Sequence, residues 1–170
     1  MYQRVVAFDT TVTAVITSWP YWLRTPCILL AVVFQPFVLS VAAIAVFFSL
    51  PRATLMLPVA AAAIGANGLL KRCIRRQRPN TPYARRMLIQ SPSFPSGHTF
   101  ATTVMLGVAS VAIAPHVGAG STILVASIAI VWAATVGLSR VYLGAHHPTD
   151  IIAGWLLGLL SVWAITAFTP

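Results

Sequence analysis

Three clusters in this 170-residue sequence hold side chains that could do chemistry together. The first runs Lys71-Arg72-Cys73-Ile74-Arg75-Arg76-Gln77-Arg78-Pro79, the second is Pro95-Ser96-Gly97-His98, and the third is Ser139-Arg140 followed by His146 and Asp150. A phosphate ester carries negative oxygens that must be held and neutralised as its transition state forms. The basic residues of the first cluster and Arg140 of the third supply cations for that task. Arg grips two phosphate oxygens at once, whereas Lys acts as a point charge. Ser96-Gly97-His98 opens a helix, whose first backbone N–H groups are unpaired and face an anion. Gly97 lets the backbone come close to it. Pro148 suits the first position of a helix, which puts Asp150 in the first turn, where a carboxylate also complements the helix dipole.

Each of these residues has a plainer reading. Lys71 and Arg78 could be the basic flank of a membrane helix, and that reading suffices for Arg72, Arg75, Arg76, Arg85 and Arg86. Ser96 could be a helix cap beside an idle His98. The flank reading is poor for Arg140, which follows an apolar run and precedes His146.

The elements that must position these clusters are apolar. Hydrophobic residues make up 58% of the chain and charged residues 8%, against roughly 25% charged in a soluble domain. The chain therefore reads as one membrane-embedded, all-α domain over 1–170, a polytopic helix bundle of five to six transmembrane helices. A span needs about 20 apolar residues. Such stretches run from Cys27 to Leu50 with a kink expected at Gln35-Pro36, from Ala53 to Leu70, from Gly97 to Ala114, from Ser121 to Leu138, and from Thr149 to Phe168. Residues 1–22 differ. Val5, Phe8, Val12, Val15, Ile16 and Trp19 fall near helical spacing with threonines between them. This predicts an interfacial amphipathic helix with Trp19, Tyr21 and Trp22 at headgroup depth; a weak first span is the alternative. No cleavable leader pattern is expected, because Asp9 and the threonines interrupt any apolar core.

Two crossings separate the Lys71–Ser96 linker from the Ser139–Pro148 linker, so both are expected on one membrane face. The turns at Pro51-Arg52 and at Pro115 to Gly120 fall on the other. Membrane topology thus delivers all three clusters to the same side.

At this point the sequence resembles a known family, the type 2 phosphatidic acid phosphatases and vanadium haloperoxidases. Their three-part signature is Lys, six residues, Arg-Pro; then Pro-Ser-Gly-His; then Ser-Arg, five residues, His, three residues, Asp. All three parts match here in order and without substitution, over Lys71 to Asp150. The resemblance implies that Lys71, Arg78, Ser96, Gly97 and Arg140 bind the substrate phosphate. It implies that His146 is the nucleophile, forming a phosphohistidine that water hydrolyses. His98 would be the general acid for the leaving oxygen, and Asp150 would orient the His146 imidazole and stabilise its charge. The spacing to Arg140 and Asp150 selects His146 over the adjacent His147, which reads as an interface residue, while His116 reads as structural. The family's haloperoxidases are soluble, so the membrane character of this chain favours the lipid phosphatase branch.

Charge and composition narrow the chemistry further. The chain has 11 Lys plus Arg and two acids, Asp9 and Asp150. Two carboxylates do not readily build a Mg²⁺ or Ca²⁺ site, so no metal and no other cofactor is expected. Cys27 and Cys73 form no metal or redox pattern. The expected partners are the bilayer and a lipid phosphate: a polyprenyl (di)phosphate, phosphatidylglycerophosphate or phosphatidate. Nucleic acid is not expected, and nothing in the sequence signals an oligomeric state. With residues 1–22 at the interface, all cations except Arg52 fall on the catalytic face, which the positive-inside rule places in the cytoplasm. A non-catalytic lipid-headgroup binder or small transporter is the alternative, although transport usually shows ionisable groups within the spans.

Overall fold

A computed structural model describes residues 2–31, 40, 44, 53–86 and 91–168. All regular structure among them is helical. Helix α1 is Tyr2–Thr17. A 3-10 turn, Tyr21–Leu23, leads into α2, Arg24–Leu29. Then come α3 (Ala53–Ile74), the short α4 (Pro82–Arg85), α5 (Gly97–Ile113), α6 (Ala119–Tyr142) and α7 (Pro148–Phe168). Among the described residues, four helices are long and apolar enough to cross a membrane: α3, α5, α6 and α7. Most of the Cys27–Leu50 stretch, including the expected Gln35-Pro36 kink, lies outside the described residues, as does the Pro51-Arg52 turn.

Two helices run further than the apolar count suggested. Lys71 sits in the last turn of α3 and Arg140 in the last turn of α6, where the sequence pattern placed both in linkers. A cation at a helix C-terminus complements the dipole there, so the helix continues through it. The other two boundaries follow their local signals. Ser96 caps α5, and Pro148 opens α7.

The bundle is centred on α5, which packs against α7, α6 and α3. Its buried core holds Met56 and Ala60 from α3, Phe100, Val104 and Val108 from α5, and Ile165 from α7. Outward faces are apolar as well, with Ile123, Ile130 and Val131 on α6 and Leu156, Leu159 and Trp163 on α7 exposed. Such faces suit hydrocarbon rather than water. Small residues let the helices approach closely. A Cβ at Gly154 would sit 3.1 Å from the Ser96 carbonyl oxygen, and one at Gly158 would sit 2.7 Å from Thr103 Cβ. These glycines, one turn apart, fix how near the start of α7 lies to the start of α5.

Helix α1 is inverted relative to a helix of a soluble protein. Asp9 and Ile16 are buried, with Val12 packed beside Ile16 against Val141, Ile151 and Trp155. Val5, Val6, Phe8 and Val15 point away from the protein. At 16 residues it is about 24 Å long, shorter than the ~30 Å of a hydrocarbon core.

The close approach of α5 and α7 makes Gly158 a sensitive position. Gly158→Leu should lower the thermal unfolding temperature in detergent, at a cost of about 1–3 kcal/mol for overpacking. A melting curve matching the unsubstituted protein would show that this contact does not constrain the bundle.

Candidate active site

The end of the bundle that collects the three clusters is built from helix termini. The C-termini of α3 and α6 bring Lys71 and Arg140, and the N-termini of α5 and α7 bring Ser96 to His98 and Asp150. The backbone N–H of Ser96 donates to the Asp150 carbonyl at 3.0 Å, which joins the second cluster to the third. Ser96 is fully buried, and its Oγ accepts from the Thr99 hydroxyl at 3.0 Å.

The chain leaves α3 through Arg75, whose φ of 52° is left-handed. Its N–H returns to the Lys71 carbonyl at 2.9 Å, closing the helix end. This reversal sends Arg76 and Arg78 across the site. The Arg78 Nε donates to the Ser91 carbonyl at 2.8 Å and its Nη1 to the Ala145 carbonyl at 2.9 Å. Lys71 Nζ donates to the Pro92 carbonyl at 2.9 Å. The segment after α6 is turned by Gly144 at φ 70°, where a Cβ would also meet Thr81 Cγ2 at 2.6 Å. Thr81 Oγ1 donates to the Gly144 carbonyl at 2.9 Å, so the α3–α5 linker holds the loop that carries His146.

His146 is 1% exposed. Its Nε2 lies 3.2 Å from Arg78 Nη1. A guanidinium only donates, so Nε2 presents its lone pair and Nδ1 carries the proton. Nδ1 faces Asp150 Oδ2 at 3.4 Å, close but not aligned for a full hydrogen bond. Bonds of this kind are often long in an unliganded site and tighten around the substrate. Asp150 Oδ2 accepts from the His147 N–H at 2.9 Å, which holds the carboxylate against the loop. Burial, with the charge of Arg78 adding to it, pushes His146 from 6.5 down to about 4 against the pull of Asp150. The imidazole is therefore neutral at physiological pH.

Arg140 is 2% exposed, and among the described residues its Nε finds no hydrogen-bond partner. Its Cζ lies 5.7 Å from the Tyr83 ring centroid. His98 is half-buried and faces the charges of Arg140, Arg78 and Lys71 as well as His146. Gly97 lies beside Lys71, where a Cβ would meet Lys71 Cε at 3.5 Å, an ordinary contact. Packing alone therefore does not demand glycine there. Next to the site, Tyr83 also lines a cavity of about 390 Å³ with Trp19, Tyr21, Arg24 and Tyr142.

The structure thus brings Lys71, Arg78, Ser96, Gly97, His98, Arg140, His146 and Asp150 to one end of the bundle. It also corrects the reading of Arg76 as a basic flank. Arg76 bonds Asp150 Oδ1 at 2.7 Å and Asp9 Oδ2 at 2.6 Å. The available signal was Asp9 itself: a carboxylate among apolar residues in a chain with two acids must find a partner.

The family model of the PAP2 superfamily matches residues 52–170. The chain belongs to the PAP2 superfamily. It is similar to phosphatidylglycerophosphatase B of Bacillus subtilis, 38% identical over 60% of this chain and 50% of that protein. It is similar to decaprenylphosphoryl-5-phosphoribose phosphatase of Mycobacterium tuberculosis, 36% identical over 53% of this chain and 46% of that protein. The chain spans about half the length of these curated relatives. Among solved structures it resembles a transmembrane PAP2 type phosphatidylglycerolphosphate phosphatase from Bacillus subtilis. The TM-score is 0.81 and the identity 30%, over 97% of this chain and 86% of that one. Aquifex aeolicus LpxE superposes with a TM-score of 0.70 over 94% of both chains at 18% identity, a likeness of fold.

The depressed His146 has a pH consequence. Unfolding returns it to its ordinary 6.5, so between about 4 and 6.5 the unfolded chain takes up a proton that the folded chain refuses. This contribution to stability is complete above pH 6.5 and is lost as pH falls towards 4. Ring ¹⁵N shifts, with His146 identified by its loss in His146→Ala, should report a neutral ring at pH 5.5. A ring titrating near 6.5 would contradict the buried, cation-facing placement.

Proposed function

We propose that this PAP2 superfamily member is an integral membrane lipid phosphatase that removes a terminal phosphate through a phosphohistidine on His146, without a metal. The observation that supports it most is the placement of His146. Its Nε2 lone pair points at Arg78, and its Nδ1 side faces Asp150. A phosphate entering between Nε2 and the cations would be held by Lys71, Arg78 and Arg140 and by the N-terminus of α5, including Ser96 and Gly97. Arg140 enters with an uncommitted Nε–H.

The reaction follows from these positions. The Nε2 lone pair attacks phosphorus in line, and the P–O bond to the lipid alcohol breaks. Once the phosphate offsets the charges of Lys71, Arg78 and Arg140 that face His98, the imidazole takes up a proton with the substrate and donates it to the departing oxygen. Positive charge on the His146 ring is stabilised by Asp150 through Nδ1–H. Water then attacks the phosphorus, giving its proton to His98 and releasing orthophosphate and a neutral imidazole. Both carboxylates of the chain are engaged by Arg76, which fits a mechanism built on cations rather than on metal ligands.

The proposed substrates are membrane lipids with a terminal phosphate: phosphatidylglycerophosphate first, in keeping with the Bacillus subtilis relatives, then a polyprenyl diphosphate and phosphatidate. The cavity shared by Tyr83 offers room for the group beyond the phosphate. Phosphate release from these three lipids, measured with purified protein in excess EDTA, tests the whole reading. Release from at least one is expected, with loss of at least about a thousandfold in His146→Ala, on the scale of removing a nucleophile, and near-normal release in His147→Ala. Release from none of them would favour a non-catalytic headgroup binder.

We further propose a single domain with α1 at the interface of the cell membrane and the active site on the cytoplasmic face, supported by the excess of Arg and Lys on that face. Arg86, exposed in the linker between α3 and α5, serves as the reporter. With Cys27 and Cys73 replaced, Arg86→Cys in intact cells should resist an impermeant thiol reagent and react once the cells are opened. Labelling from outside would reverse the assignment.

A further inference from the structure

Both carboxylates of this chain end on one guanidinium. Arg76 Nη1 donates to Asp150 Oδ1 at 2.7 Å and to Thr149 Oγ1 at 2.7 Å, and Nη2 donates to Asp9 Oδ2 at 2.6 Å. Asp9 is 3% exposed. It also accepts the Thr149 N–H at Oδ1, 2.9 Å, and the Thr149 hydroxyl at Oδ2, 2.8 Å. One carboxylate from α1 therefore binds the first turn of α7 and the cation that bridges to Asp150.

We propose that Asp9 and Arg76 are a positioning pair for His146: Asp9 holds the Arg76 guanidinium across Asp150 Oδ1, which leaves Oδ2 turned towards the His146 ring. This rests on the reading of His146 as the nucleophile. Arg76 gives three of its five N–H donors to Asp150, Thr149 and Asp9, so its charge is already spent on two carboxylates, unlike that of Lys71, Arg78 and Arg140. Burial works against the charge on Arg76, but its bonds to Asp9 and Asp150 outweigh that and hold its pKa above the ordinary range.

The geometry has two consequences. Asp150 is fixed at both oxygens, by Arg76 at Oδ1 and by the His147 N–H at Oδ2, so it cannot rotate away from Nδ1. The pair also sets how much negative charge the imidazole feels. Arg76 cancels part of the Asp150 field, and Asp9 cancels part of Arg76. The other groups around His146 are Lys71 on α3, Arg78 after it and His98 on α5, and they stay the same when the pair is changed. Removing each partner should therefore shift the His146 titration in opposite directions. A role confined to tying α1 to α7 would not produce opposite signs.

The test uses the full chain in detergent micelles, with ¹⁵N-histidine titrations and steady-state kinetics on whichever lipid the protein hydrolyses. Arg76→Gln should raise the pH at which His146 titrates, Asp9→Asn should leave the ring less protonated at pH 4 than in the unsubstituted protein, and the double variant should fall between them. kcat should drop roughly 10- to 100-fold, the scale of losing a group that orients a catalytic side chain, with KM changed by less than about threefold because neither residue meets the phosphate. Arg76→Lys, a point charge that cannot span both carboxylates, should restore the titration more than the rate. Shifts of the same sign, no shift, or a loss confined to KM would overturn the pair. If Arg76→Gln does not fold, the Asp9→Asn titration and kcat decide alone. His146→Ala is run in parallel: full turnover there would sink the nucleophile reading itself, whereas an inactive His146→Ala beside an unaffected Asp9→Asn would sink only the pair.

Discussion

Unneutralised positive charge at the end of an apolar bundle is the constraint on which the rest of this molecule depends. Lys71 and Arg140 are buried and Arg78 is partly buried, and the ion pairs among the described residues go to Arg76 and His146, not to these three. Like charges in a poorly solvated setting repel, and each has lost water. The fold offsets this with neutral dipoles. Backbone carbonyls of Pro92, Ser91 and Ala145 take the N–H groups of Lys71 and Arg78, and the Tyr83 ring covers Arg140. Carbonyls and rings stabilise a cation without cancelling its field. A carboxylate would cancel it, and would compete with a phosphate for the same donors. Both acids of the chain lie on Arg76, and the other three cations have no ion pair among the described residues, which fits the proposed phosphate site.

Helix termini do the positioning. The two ends that present N–H groups, those of α5 and α7, are locked together by the Ser96–Asp150 backbone bond and by the glycine contacts one and two turns further in. The two ends that present carbonyls carry cations in their last turns. Three of the four termini thus bear the charge that their dipole favours, Asp150 on α7 and the cations on α3 and α6, while the first turn of α5 bears no acid and keeps its N–H groups for an anion. The loops do the finer work. The left-handed Arg75 reverses the chain out of α3, and the left-handed Gly144 turns it after α6. These reversals bring Arg78 Nη1 within 3.2 Å of His146 Nε2, between segments far apart in sequence.

Much of this was legible before any coordinates. Long apolar runs separated by short polar linkers report helices whose backbones must pair internally in lipid, and parity of crossings put the clusters on one face. Fixed spacings within each cluster marked the residues that the fold brings to one end of the bundle. The boundaries of α3 and α6 were drawn too short because hydropathy ends where charge begins, while the helix continues so that its last turn can carry Lys71 or Arg140. Arg76 was missed for a different reason. A cation among Arg72, Arg75 and Arg78 has no local mark, and its partners lie 67 and 74 residues away. Helix α1 was read from its apolar spacing as an interfacial helix with Val5, Phe8, Val12, Val15 and Ile16 on one apolar face, and the structure splits that face, leaving Val5, Phe8 and Val15 exposed. The inward side instead follows Asp9, Val12 and Ile16.

That inversion of α1 ties the membrane to the chemistry. In water, a helix showing Val5, Val6, Phe8 and Val15 outward would be poorly soluble, and a buried aspartate would be costly. Against lipid both terms change sign of purpose: the apolar face is solvated by hydrocarbon, and the aspartate must turn inward to a cation and to backbone N–H groups. The cation it meets is the one already bound to Asp150. In the proposed interfacial placement the bilayer would seat α1 from outside, while Asp9 fixes it from inside through a contact shared with the carboxylate that faces His146. An element with little core of its own is held in register by the polar groups of the candidate active site.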